Sequence, residues 1–250
     1  MVLSALALIL AVVMTPPELP EVVPWKAALV DTGKTIIAPV TDAQVNDLAL
    51  WAPTVVATGA AMANDVPLYR LLRDRVYDPR LGGHRVSYWG SYLGEGYVDA
   101  AAFAAVGLLG KKKGRRVCLE GLESLAAAAL VSRGAKLAFR LERPSFDPGH
   151  KHWFSRLSAD SFPSGHAMSA FASAAVLSTE YPELAPVFYL VATYVGLARV
   201  QQGTHWVSDV LVGAAIGMAL GSAAVRINNQ WAFSPGVSRA DFGGRLKTVF

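Results

Sequence analysis

The sequence predicts an all-α protein, a bundle of six helices. Three observations lead there. Six alanine-rich apolar segments run roughly Val45–Ala63, Gly96–Leu109, Leu122–Ala138, His166–Thr179, Leu184–Ala198 and Val207–Val225, and none alternates with period two. The chain is 53% hydrophobic and only 17% charged, where a soluble domain carries about a quarter charged residues. The bundle is therefore expected to be membrane-embedded or membrane-associated. Finally, Pro163-Ser164-Gly165-His166 stands before the Ala167–Leu177 run as a helix start should: a proline, a serine able to cap, then helix formers.

The elements follow in order. Residues 1–14 form an apolar run too short to cross a bilayer comfortably. It resembles the core of a secretory signal or an N-terminal anchor, although it has neither a basic leading region nor a good cleavage site. Thr15–Pro24 is rich in Pro and Glu and reads as an extended linker. The helical domain is expected over 25–226, with a polar tail over 227–250. Lys34–Val40 is a β-branched stretch without a partner and is expected as loop or edge structure. Of the six segments, only Val45–Ala63 and Val207–Val225 reach the roughly 18–20 residues of a membrane span. Asn64–Glu95, rich in Arg and Tyr, is expected to cover one side of the site or the membrane surface, with His84 on the surface.

Lys111-Lys-Lys-Gly-Arg-Arg116 connects the second and third segments. In a membrane protein such a cluster stays cytoplasmic. If all six segments span, the polar motifs described below then fall together on the extracytoplasmic side. A cleaved N-terminal signal would invert that face, so both cannot hold unless a segment fails to span. Gly213, Gly217 and Gly221 lie four apart in the last segment. Such a stripe lets another helix approach closely, in a membrane bundle or a soluble one. Cys118 is the sole cysteine, so no intrachain disulfide forms. Net charge is +4, without the basic and aromatic interleaving of a nucleic-acid surface.

The chemistry concentrates in three places. Lys136 and Arg143 are seven apart, two helical turns, and so share a face of a helix that Pro144 ends. Pro163-Ser164-Gly165-His166 offers free backbone N–H groups and the positive end of a helix dipole to an anion, and Gly165 permits close approach. Arg199-Val-Gln-Gln-Gly-Thr-His205-Trp-Val-Ser-Asp209 puts His205 and Asp209 four apart, a carboxylate beside an imidazole. Two histidines, three cations and a helix start together fit a phosphate site without a metal.

Lys136-x6-Arg143-Pro144, Pro163-Ser164-Gly165-His166 and Arg199-x5-His205-x3-Asp209 resemble, in order and spacing, the three-part signature of the type 2 phosphatidic acid phosphatase (PAP2) and vanadium haloperoxidase superfamily. The resemblance covers roughly Lys136 to Gly221. One departure is Ala198, where the family often has Ser. The resemblance implies a helical phosphatase in which His205 is the nucleophile and forms a phosphohistidine. It implies that Asp209 accepts a hydrogen bond from the other ring nitrogen, and that His166 protonates the leaving oxygen and then activates water. Lys136, Arg143, Ser164, Gly165 and Arg199 would hold the phosphate oxygens. No cofactor or metal is implied, and activity is expected to survive EDTA.

The apolar helices favour a lipid substrate: phosphatidic acid, phosphatidylglycerol phosphate or a polyprenyl diphosphate. A soluble periplasmic acid phosphatase is the alternative, and a vanadate-dependent haloperoxidase a further one. His150 and His152 invite a metal reading, but no third ligand has convincing spacing, and Asp147 and Asp160 read as ordinary loop residues. Phe146–Ala159 reads instead as a loop gating substrate entry. Trp153, Phe154 and Trp206 are candidates to contact an apolar substrate tail, or to serve as packing and interface anchors.

Overall fold

The computed structural model describes residues 25–41, 45–76 and 83–232, and among them there are nine α-helices and no strand. They are α1 (Trp25–Thr41), α2 (Val45–Ala63), α3 (Asp65–Val76), α4 (Gly83–Leu93), α5 (Gly96–Leu109), α6 (Lys111–Phe139), α7 (Gly165–Glu180), α8 (Ala185–Gln201) and α9 (Val207–Ala232). The six expected segments are all helical. The signal-like start, the linker and the end of the tail lie outside the described residues.

α7 and α9 form the centre, and the reason is steric. A methyl group on Gly213 would meet the Ser164 carbonyl, on Gly217 the Met168 carbonyl, and on Gly221 the Ala172 carbonyl. The glycine stripe thus lies directly on the backbone of α7, so close approach is its use here. α6 and α8 pack on α7 from either side. Val117, Phe103, Leu125, Val176 and Val225 fill one end of the bundle. Tyr69, Leu141, Phe162, Val200 and Trp206 fill the other.

Four expectations change. Lys34–Val40 is neither loop nor edge but the second half of α1. Thr35 and Ala38 are buried there, Ile36 packs toward Met168 and Leu220, and Ala38 packs on Ala223 and Ile227. Tertiary packing outweighs the weak β preference of Thr, Ile and Val. The Lys111–Arg116 cluster is the opening of α6 rather than a loop. Asn64–Glu95 is mostly two helices, α3 and α4; the side chain of His84 lies outside the described residues. Finally, α6 ends at Phe139, capped by Arg140 in the left-handed conformation with φ 44°, so Arg143 does not share a helix face with Lys136.

Among the described residues, two stretches are long and apolar enough to cross a bilayer, Pro182–Gln201 and Val207–Asn228, with mean hydropathy 1.3 and 1.9. The first was not expected to be long enough. A 3-10 turn, Pro182–Leu184, extends α8 at its start. Val187, Leu190, Val191 and Leu197 of α8 are exposed. α9 runs beyond the expected domain end to Ala232, and Ile227 and Asn228 are buried.

The basic cluster and the three motifs lie at opposite ends of the bundle. Lys113 Nζ donates to the Glu180 carbonyl at 2.7 Å, and Arg116 pairs with the Glu180 carboxylate. Glu180 closes α7, whereas the Pro163–His166 stretch opens it. The 16 residues of α7 separate these ends by about 24 Å.

Because its neighbour is backbone, Gly217→Ala must push α7 and α9 apart, and overpacking of this kind costs about 1–3 kcal/mol. A methyl on Gly134 of α6 would meet nothing within 4 Å. Gly134→Ala is therefore expected to stabilise by about 0.5–1 kcal/mol through helix propensity. Thermal unfolding of the two variants should move Tm in opposite directions.

Candidate active site

The site is built where four chain ends meet: the C-terminal ends of α6 and α8 and the N-terminal ends of α7 and α9. Lys136 comes from the last turn of α6. Arg199 comes from the last turn of α8. His166 is in the first turn of α7, whose start is capped by Ser164: its side chain accepts from the Ala167 N–H at 3.4 Å. His205 sits just ahead of α9 and Asp209 in its first turn. Arg143 lies on the loop between α6 and α7. A Cβ placed on Gly165 would stand 3.9 Å from Lys136 Nζ, so the ammonium reaches the exposed N–H end of α7.

The two helix starts are joined by hydrogen bonds. The Ser164 N–H donates to the Asp209 carbonyl at 3.0 Å. Ser161 Oγ donates to Asp209 Oδ2, and the Trp206 N–H donates to the same oxygen at 2.9 Å. Asp209 is fully buried. Gly203 allows the turn into this region: its φ is +68°, and a Cβ there would come within 2.8 Å of the Tyr69 hydroxyl.

His205 is 1% exposed. Its Nδ1 lies 2.7 Å from the Ser161 carbonyl oxygen. Because a carbonyl only accepts, Nδ1 must carry the proton, and the lone pair is on Nε2. The expected partner was Asp209, but its Oδ2 is 3.7 Å from Nδ1, beyond a hydrogen bond. The carboxylate instead binds Ser161 Oγ and the Trp206 N–H, and Ser161 stands between acid and imidazole. Burial, and then the charges of Lys136, Arg199, Arg143 and His166, hold the His205 imidazole well below its usual range. It is neutral near pH 7, the form a nucleophile requires.

The cations are partnered by groups that carried no sequence signal. Arg143 donates through Nε and a terminal nitrogen to both oxygens of Asp160, each at 2.8 Å. Asp160 is thus not an ordinary loop residue but half of a bidentate pair. Arg199 donates to Ser91 Oγ at 2.7 Å and Gln202 Oε1 at 2.8 Å. Gln202 in turn donates to the Ser87 carbonyl at 2.7 Å, so α4 does cover one side of the site. His166 Nε2 lies 3.1 Å from Glu95 Oε1. Glu95 precedes α5 at a sequence distance of 71, too far for any local pattern to reveal. The weak signal was an acid in a polar connection of a chain with few charges.

Other residues take structural places. Trp206 is buried, stacks edge-on to Tyr69 at 5.6 Å and donates its indole N–H to the Glu142 carbonyl at 2.9 Å. It belongs to the core rather than to a substrate tail. Trp153 packs on Phe162, and Phe154 is exposed. Asp65 receives the Ser208 N–H at 2.9 Å and the Lys151 ammonium at 2.6 Å, tying α3 to the start of α9. Asp147, His150 and His152, away from this centre, gather their ligating atoms within 4.8 Å of one another.

The family model of the PAP2 superfamily matches residues 119–232. A lipid A 1-phosphatase of Porphyromonas gingivalis is 39% identical over 88 residues, 32% of this chain and 20% of that protein. One from Rhizobium johnstonii is 40% identical over 58 residues, 23% of this chain and 24% of that protein. The chain thus spans about a fifth to a quarter of the length of these curated relatives. Among solved structures, Aquifex aeolicus LpxE superposes with a TM-score of 0.53 at 26% identity, over 65% of this chain and 94% of that one. The transmembrane PAP2 type phosphatidylglycerolphosphate phosphatase of Bacillus subtilis gives 0.59 at 20% identity, over 78% of this chain and all of that one, a likeness of fold alone. All three motifs, brought to one end of the bundle, lie inside the 119–232 region that matches the PAP2 superfamily model.

Proposed function

We propose that the chain is a metal-independent phosphatase that removes phosphate from a lipid phosphate or lipid diphosphate through a phosphohistidine. The observation that carries this is the state of His205: buried, neutral, its Nδ1 proton held by the Ser161 carbonyl and its Nε2 lone pair left for attack. Nε2 forms a bond to phosphorus as the bond from phosphorus to the lipid oxygen breaks. His166 gives that oxygen its proton. His166 then takes a proton from water, whose oxygen attacks the phosphohistidine and frees phosphate and His205. Lys136, Arg143, Arg199 and the N–H groups at the start of α7 stabilise the charge on the transferring group, where mostly positioning is required.

Glu95 completes this scheme as a positioning residue. It holds Nε2 of His166, leaving Nδ1 for the leaving oxygen. Burial, and then the charge of Arg199 with that of Lys136, lower the His166 imidazole to about 4, and the Glu95 carboxylate offsets part of that shift; an entering phosphate dianion would raise it further, toward the protonated form the leaving oxygen requires. Asp209 acts through Ser161, fixing the carbonyl that orients His205.

A lipid substrate is supported by the exposed apolar faces of α8 and the two span-length helices. The names of the relatives add lipid A carrying a 1-phosphate to the substrates to be tried, beside phosphatidic acid, phosphatidylglycerol phosphate and a polyprenyl diphosphate. With the Lys111–Arg116 cluster at the far end of the bundle, the site would face the extracytoplasmic side.

Purified protein in EDTA is expected to release phosphate from at least one of these lipids, and His205→Ala to lose at least about a thousandfold in kcat. Preference for a small aryl phosphate over every lipid would point to a broad acid phosphatase, and no release at all would contradict the assignment. Because the folded-state pKa of His205 is lowered, its ring should stay neutral as pH falls through about 6.5, where a free imidazole gains its proton. An NMR titration, with the resonance identified by its absence in His205→Gln, checks this; ordinary titration would refute it. Glu95→Gln is expected to lower kcat about tenfold and to move the alkaline limb of kcat/KM to lower pH, since the imidazolium loses its stabilising carboxylate. An unmoved limb would leave Glu95 a merely structural role.

A further inference from the structure

We propose that Asp147, His150 and His152 form a binding site for a divalent transition cation of the zinc class, separate from the phosphate site. The three lie in the loop between α6 and α7. Asp147 Oδ2 is 3.1 Å from His150 Nδ1 and 3.3 Å from His152 Nε2, and all three ligating atoms fall within 4.8 Å of one another. Around a tetrahedral zinc, with ligands about 2.0–2.2 Å from the metal, neighbouring donor atoms stand about 3.4 Å apart. Two of the three donor separations are therefore close to those of a bound state. The third closes by rotation of the two imidazoles, which are exposed and free to turn.

The backbone presenting these groups is already held. Asp147 Oδ1 accepts the Gly149 N–H at 2.9 Å, which fixes the carboxylate and keeps Oδ2 for the histidines. The Phe146 N–H donates to the Arg143 carbonyl at 3.0 Å, and the Glu142 N–H to the His152 carbonyl at 3.1 Å. Both ends of the ligand segment are thus anchored to the residues flanking Arg143. Two imidazole nitrogens with one carboxylate select zinc and its neighbours over magnesium or calcium, which take oxygen. Exposure leaves the remaining position to water or to an anionic group. The cation has no part in the phosphoryl transfer; it would pin the loop that leads from Arg143 toward the start of α7.

The pattern Asp-x2-His-x-His hid its third ligand because the carboxylate precedes the histidines on a turn, where side-chain direction is not set by spacing. The test is titration of tag-free, full-length protein in detergent with Zn2+, against a competing fluorescent chelator, with hydrogen exchange of 145–153 followed alongside. One Zn2+ per chain at micromolar concentration is expected, with slowed exchange in that loop. Asp147→Asn and His152→Ala should each weaken binding at least about tenfold while leaving thermal unfolding of the zinc-free protein unchanged. No stoichiometric binding, or binding that survives both substitutions, would overturn the proposal. Because binding and exchange are read without turnover, neither result depends on the phosphatase reading.

Discussion

The structure depends on the joint between the start of α7 and the start of α9. One main-chain hydrogen bond, from the Ser164 N–H to the Asp209 carbonyl, and one side-chain bond, from Ser161 to the Asp209 carboxylate, hold the two helix starts together. The glycine stripe of α9 makes that joint possible, since any side chain at Gly213 would strike the Ser164 carbonyl itself. Helix packing and site geometry are therefore one constraint. The spacing of the glycines sets the distance between α7 and α9, and that distance places His205 beside the anion-binding end of α7.

A buried carboxylate is costly unless its oxygens are satisfied. Asp209 meets only part of that cost: Ser161 and the Trp206 N–H both donate to Oδ2, rather than the imidazole it accompanies, and Oδ1 is buried without a hydrogen-bond partner. The imidazole is oriented at one remove, by the Ser161 carbonyl. This arrangement suits the chemistry. A direct ion pair would favour a protonated, non-nucleophilic His205, whereas a neutral carbonyl fixes the tautomer without favouring the cation. The surrounding cations then act in the same direction and keep the ring neutral.

Much of this was legible in the sequence. The six helical segments, the helix start at Gly165 and the grouping of Lys136, His166, Arg199, His205 and Asp209 at one end follow from apolar runs and motif spacing, signals carried along the chain. What could not be read is what lies across it. Glu95 on His166, Asp160 on Arg143, and Ser91 with Gln202 on Arg199 are pairings between distant or irregular segments. The helix at Lys34–Val40 is similar: its local preference is for strand, and only burial of Thr35 and Ala38 against α6 and α9 reverses it. Arg143 shows the limit of periodicity. Its spacing from Lys136 suggested one helix face, yet Arg140 turns the chain out of the helix, and the loop returns Arg143 to the site by another route.

That route has a consequence for how charge is managed. Lys136, Arg143 and Arg199 converge, and a cluster of like charges repels itself in an apolar bundle. Asp160 and Glu95 offset it at the rim, where both are partly exposed, while the Ser91 hydroxyl and the Gln202 amide oxygen both accept from one terminal nitrogen of Arg199 without neutralising it, and its buried Nε has no hydrogen-bond partner. The centre is left electropositive and the edge compensated. A dianionic phosphate group entering there meets donors that are already oriented, so little reorganisation accompanies binding. A ligand with only an apolar tail has nothing to pay the desolvation of the cations. On the proposed function, selection for the phosphate end would arise from the centre, and selection among lipids from the surfaces beyond Glu95 and Asp160, namely α4 and the loop from Phe146 to Ala159.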